Sequence, residues 1–146
     1  MFKETSKELL DFLSKSPTAF HAVENYRQIL NADGFKELLE SEHWDIVPGG
    51  KYYVTRNNTS ILAFKVGTKL DNYSFNIVTS HTDSPTFKVK ENAEIEVKNK
   101  YTQLNTEGYG GMLCATWLDR PLSIAGRVLV SEGNSIVNKL LNIDRD

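Results

Sequence analysis

Apolar residues fall at helical spacing at the start of the chain, with Leu9, Leu10, Phe12 and Leu13 inside residues 4–14, and Ser16-Pro17 ends that run. Ser16-Pro17-Thr18 then opens a second helix. In it Phe20, Ala22, Val23, Tyr26 and Leu30 lie mostly on one side, and Gly34 terminates the pattern. Residues 35–44 are a short charged stretch carrying Leu38, Leu39 and Trp44, and Pro48-Gly49-Gly50 is a turn. Residues 51–55 and 60–66 flank Arg56-Asn57-Asn58-Thr59 and predict a β-hairpin. After a polar loop over 67–72, residues 73–79 predict a further strand. Tyr73, Phe75 and Ile77 share one face and Val78 adds the other, so its carboxyl end is expected to be buried on both sides. Helices leading into such a strand predict an α/β layered domain.

The pattern changes after Pro85. Residues 87–90 and 93–97 alternate strictly, as strands with one wet face do. Residues 101–111 are polar and end Gly-rich. Residues 122–130 and 136–143 flank Ser131-Glu132-Gly133-Asn134 as a further hairpin. The latter half is therefore expected to be mainly β. The division this predicts is an α/β segment over residues 1–92 and a β-rich segment over 93–146.

Composition narrows the classes of function. A chain of 146 residues can bury a real core, and 40% hydrophobic with 25% charged residues is ordinary for a globular protein. A net charge of −2, with lysines scattered among carboxylates, gives no electrostatic footprint for nucleic acid. No apolar leader or membrane-length run is visible, so no membrane partner is expected. Cys114 is the single cysteine, which excludes an intrachain disulfide; together these features favour the cytoplasm.

The chemistry concentrates at Ile77-Val78-Thr79-Ser80-His81-Thr82-Asp83-Ser84-Pro85. A β-branched run that stops at His-x-Asp and then at Ser-Pro is how a strand delivers a metal-binding histidine to the rim of a sheet. One ring nitrogen of His81 can ligate zinc while Asp83 orients the ring. The alternative is a structural histidine bonded to Asp83 at a turn, with Asp83 or Ser84 capping the next element. Ser84 lies near His81, but no Gly-x-Ser-x-Gly elbow supports a serine hydrolase. Gly108-Tyr109-Gly110-Gly111 lacks the strand–helix context of a phosphate loop and reads as close packing or a bend. In Thr116-Trp117-Leu118-Asp119-Arg120-Pro121 an Asp119–Arg120 ion pair packed under Trp117 is expected. A catalytic zinc needs about three protein ligands. His21 reads as a half-buried packing residue, His43 as solvated beside Glu42, and the remaining acids show no ligand spacing, so this chain supplies only part of a metal centre.

Several longer motifs carry a family resemblance. Val78-Thr79-Ser80-His81-Thr82-Asp83-Ser84-Pro85 with Phe87-Lys88-Val89-Lys90 resembles the amino-terminal signature of the aspartyl aminopeptidase family of metallopeptidases. Tyr109-Gly110-Gly111, Thr116-Trp117-Leu118-Asp119-Arg120 and Ala125-Gly126-Arg127-Val128 resemble that family's second signature in order and spacing. Ser16-Pro17-Thr18-Ala19-Phe20-His21-Ala22-Val23 and Gly50-Lys51-Tyr52-Tyr53-Val54-Thr55-Arg56-Asn57 are similar as well, so the resemblance covers nearly the whole chain.

The resemblance implies a zinc-exopeptidase-type mixed sheet with flanking helices, followed by the start of an inserted β-rich dimerisation domain. It assigns His81 as a ligand to one of two active-site zincs, and Asp83 as the catalytic aspartate that orients it. It implies a homo-oligomeric enzyme that removes amino-terminal Asp or Glu from peptides with metal-activated water. Family members are far longer, and their other ligands and general-base glutamate lie in the carboxy-terminal part. The chain is therefore expected to be inactive alone and to associate with that missing part. The rival expectation is a non-catalytic interaction or assembly module derived from the same family. A different dizinc exopeptidase or deacylase predicts no match at Trp117-Leu118-Asp119-Arg120.

Overall fold

A computed structural model describes residues 2–71 and 74–143 as a mixed α/β chain that packs as two units. One unit comprises Met1–Asp83 and Ser123–Asp146, and the other Ser84–Leu122.

In the first unit, α1 (Phe2–Ser14) and α2 (Ala19–Ala32) form the expected helical pair. Asn25 closes the corner between them by donating from Nδ2 to the Lys15 carbonyl and to Ser16 Oγ, both at 2.9 Å. Phe12 and Tyr26 pack with ring centroids 4.7 Å apart. Thr18 caps α2 from an extended conformation, its Oγ1 accepting from the His21 N–H. At the other end, Phe35 N–H donates to Leu30 O at 2.9 Å and Gly34 N–H to Asn31 O at 3.1 Å. With Gly34 at φ +79°, this is a Schellman ending, the reason the glycine stops the helix.

Three strands follow in the order β1-β2-β3: β1 (Lys36–Glu37) runs parallel to β2 (Lys51–Arg56), which is antiparallel to β3 (Ser60–Lys65). The short β1 lies inside the charged stretch, where the hydrophobic pattern gave no strand. Asn57 and Asn58, at φ +52° and +55°, make the β2–β3 turn, a backbone region that Asn tolerates better than most residues. The small core consists of Ala22 and Val23 of α2 with Tyr52 and Tyr53 of β2. Later in the chain, β6 (Ile124–Glu132) and β7 (Ser135–Ile143) form the second expected hairpin, joined by the two-residue turn Gly133-Asn134.

The second unit is built on β4 (Thr86–Val97) paired antiparallel with β5 (Tyr101–Tyr109). The two short alternating runs are one long strand, interrupted by a register shift between Val89 and Glu94. The boundary expected at 92/93 falls within that irregular stretch. Polar residues 101–109 pair as β5 because both faces of such a ribbon can stay wet. Trp117, in a 3₁₀ turn (Cys114–Trp117), meets Phe87 edge-on at 5.6 Å. Gly110, at φ +73°, brings the backbone against Pro85.

The strand expected over 73–79 does not form over the described residues 74–79. Asn72 and Tyr73 lie outside the described residues, residues 74–80 belong to no strand, and Ile77 and Val78 are 77% and 98% exposed rather than buried. Their side chains favour a pleated, half-buried surface. A strand, however, exists only against a hydrogen-bonded neighbour, and none of the described strands pairs with this segment.

Candidate metal-ligating site

His81 and Asp83 follow this segment, and their geometry is local. His81 Nδ1 lies 2.6 Å from the Asp83 carbonyl oxygen and 3.3 Å from Asp83 Oδ1. A carbonyl oxygen can only accept, so Nδ1 carries the proton, and it is in the neutral form of such a ring that the lone pair lies at Nε2. The ring is 78% exposed and the Asp83 side chain 48% exposed. This is the tautomer a metal-ligating histidine needs, because the bond at one nitrogen fixes the ring and frees the other. The backbone carbonyl makes the shorter contact, and the carboxylate adds charge from farther away.

The residue between them has its own anchor. Thr82 stands at a bend and donates from Oγ1 to the Thr59 carbonyl at 2.6 Å, in the β2–β3 turn. Thr82 is not among the residues that the His-x-Asp motif singles out. The local sequence carries no signal for it, because its acceptor lies 23 residues earlier.

The other sequence candidates lie elsewhere. His21 is half-buried in α2, with Nδ1 2.8 Å from Thr18 Oγ1, and burial lowers its pKa. His43 is exposed and approaches Asp45 at 3.7 Å rather than Glu42. Cys114 is exposed. The expected Asp119–Arg120 ion pair is absent among the described residues. Asp119 adopts φ +54°, Arg120 Nη1 donates to the Thr116 carbonyl at 3.4 Å, and Trp117 packs on Phe87 instead. No group of three His, Cys, Asp or Glu side chains converges among the described residues. His81 thus fits zinc as one ligand with its orienting partner, and the described residues supply no further ligands around it.

The strongest electrostatics belong to the frame. Arg27 donates from Nη2 to Glu37 Oε2 at 2.8 Å, and the Tyr53 hydroxyl donates to Asn31 Oδ1 at 3.0 Å. Burial opposes the charge of Arg27, but its hydrogen bonds with Glu37 and Tyr53 outweigh that and raise its pKa. At the end of β2, Arg56 forks onto Glu40 at 2.6 and 3.1 Å; the hydrogen bond from Arg56 lowers the pKa of Glu40.

Residues 12–146 match the family model described as aminopeptidase I zinc metalloprotease (M18). The chain is 49% identical over 143 residues to a probable M18 family aminopeptidase 2 of Clostridium novyi, covering 96% of this chain and 33% of that protein. It is 45% identical over 142 residues to an aspartyl aminopeptidase of Dictyostelium discoideum, covering 96% of this chain and 29% of that one. Among solved structures, it is similar to a chain in the cryo-EM structure of the Ape4 and Nbr1 complex, with a TM-score of 0.93 at 41% identity; the match covers 98% of this chain and 28% of that chain. It is also similar to the S. cerevisiae mApe1 dodecamer, with a TM-score of 0.84 at 32% identity over 97% of this chain and 34% of that one. The chain therefore spans 33% and 29% of the length of these two curated relatives.

Proposed function

This chain belongs to the aminopeptidase I zinc metalloprotease (M18) family, and from that premise we propose that it supplies the amino-terminal third of a zinc aminopeptidase acting on peptides with amino-terminal Asp or Glu. His81 is one metal ligand, and Asp83 is the catalytic carboxylate that orients it. The supporting observation is the ring geometry: Nδ1 is committed to Asp83, so Nε2 of an exposed ring is the ligating atom. His81 would hold one zinc of the two in a complete site, and the chemistry such ions would supply is polarisation of the scissile carbonyl and a lowered pKa of water. The residues of this chain hold His81 at a fixed angle and place negative charge behind it. The acidic preference is supported by the names of the aspartyl aminopeptidase relatives.

The reading extends to organisation. The stretch from residue 93 begins a β-rich inserted domain that serves dimerisation, a reading supported by the strand content after that point. Homo-oligomerisation is supported by the dodecameric relative. No helix among the described residues is long and apolar enough to cross a membrane. Cytoplasmic residence belongs to the proposal and is supported by the single cysteine.

One ligand cannot hold a dinuclear centre, so the chain alone is inactive. The test is to co-express it with the carboxy-terminal two thirds of the Clostridium novyi relative. Zinc content and hydrolysis of Asp-, Glu- and Leu-initiated peptides are then measured on the complex and on the chain alone. Zinc-dependent turnover by the complex, lost in His81→Ala, supports the proposal. Turnover by the chain alone, or full zinc occupancy in His81→Ala, sinks it.

A further inference from the structure

We propose that the β2–β3 turn is the platform that positions the His81-Thr82-Asp83 triplet, with Thr82 as the positioning residue that joins the two. This rests on the reading of His81 as a metal ligand. The half-buried Thr82 hydroxyl donates at 2.6 Å to a backbone carbonyl, that of Thr59, 23 residues earlier. A side-chain acceptor can swing to follow its donor; a carbonyl moves only when its turn moves. This turn is held from three directions. Thr59 N–H donates to the Arg56 carbonyl at 3.1 Å and closes it from within. Arg56 forks onto Glu40 from one side.

Arg127 of β6 reaches it from another. Its Nη1 donates to both the carbonyl and Oδ1 of Asn57 at 3.2 Å, while its guanidinium lies 4.3 Å from the Phe20 ring centroid. Arg127 is thus braced on Phe20 of α2 and grips the left-handed Asn57. Displacement of the turn passes through one hydrogen bond to Thr82, one residue from the ligating ring and one from the group that fixes its tautomer. Thr82 and Arg127 act through the turn and touch no reacting atom.

The test has two arms. In the 146-residue chain, ¹⁵N relaxation reads the order of residues 81–83. Wild type is expected near the rigid-backbone order parameter of about 0.85, and Thr82→Val below about 0.6. Thr82→Ser, which keeps the hydroxyl, restores the order. Arg127→Lys, which cannot serve both Asn57 acceptors in the same geometry, lowers order at 81–83 in wild type but adds nothing in the Thr82→Val background. In the co-expressed complex, Thr82→Val weakens zinc binding roughly tenfold and lowers kcat with KM unchanged, again rescued by Ser. Unchanged order in Thr82→Val, or an equal effect of Arg127→Lys in both backgrounds, overturns the platform. A wild-type complex that takes up no zinc overturns the metal reading instead, and the relaxation pattern still decides the platform.

Discussion

Two acceptors face His81 Nδ1, and they predict an unequal response to substitution at Asp83. The Asp83 carbonyl, at 2.6 Å, survives every side-chain change; the carboxylate, at 3.3 Å, does not. Asp83→Ala and Asp83→Asn therefore leave the ring in the same tautomer, with its proton on Nδ1. A neutral hydrogen bond of this kind contributes about 0.5–1.5 kcal/mol, enough to bias the tautomer by itself. What is lost is charge behind the imidazole proposed as the ligand. Outer-shell changes at metal-bound histidines lower metal affinity by about 10–100-fold. Because the carbonyl bond remains and the carboxylate is half exposed, the low end applies: a loss of about tenfold, equivalent to about 1.4 kcal/mol. Long-range ¹H–¹⁵N spectra of the 146-residue chain report the tautomer, and zinc competition in the co-expressed complex reports affinity. A switch of the proton to Nε2 in Asp83→Ala would refute the argument, as would a hundredfold or greater loss of zinc in Asp83→Asn.

Other expectations follow from the frame. Gly34→Ala meets no neighbouring atom but must hold φ +79°, so it should destabilise the α2 ending by about 1–2 kcal/mol, read as faster amide exchange at residues 33–35. Burial lowers the pKa of His21 below its unfolded value of 6.5. The unfolded state therefore binds the extra proton, and the contribution of His21 to stability is complete above pH 6.5 and lost as pH falls through the folded value. A His21→Gln variant should flatten that part of the pH–stability curve. Phe87→Leu removes the edge-on contact with Trp117, a loss of about 0.5–1.5 kcal/mol in the second unit; in a Trp44→Phe background the change should appear in Trp117 fluorescence.

The parts of this fold legible from sequence are those whose causes are local. Thr18 and Gly34 bound α2 because capping needs only a hydroxyl and a left-handed residue at fixed offsets. Asn57-Asn58 and Gly133-Asn134 mark their hairpins for the same reason. The contact between His81 and Asp83 is legible because it spans two residues. What stayed hidden depends on distant partners: Thr82 meets Thr59 across 23 positions, and Arg127 meets Asn57 across 70. The Asp119–Arg120 ion pair failed for a local reason that spacing alone conceals. Adjacent side chains diverge, and the left-handed Asp119 turns the chain so that Arg120 finds the Thr116 carbonyl instead.

Residues 74–80 join the physics of the fold to the proposed association. Their sequence favours a buried strand, yet Ile77 and Val78 lie open to water. If the remaining two thirds of an M18 aminopeptidase supplies the neighbouring strand, these side chains are covered on association, each contributing about 1.5–3 kcal/mol. Val78→Lys should then leave the chain by itself as stable as before, because an exposed site bears a charge at little cost. The same change should weaken the complex by at least about tenfold, since the lost burial alone is worth that and a buried ammonium adds to it. Thermal melts of the chain and pull-down titrations of the complex separate the two effects. Equal affinity for Val78→Lys and wild type would mean that this segment is not the surface on which the enzyme is completed.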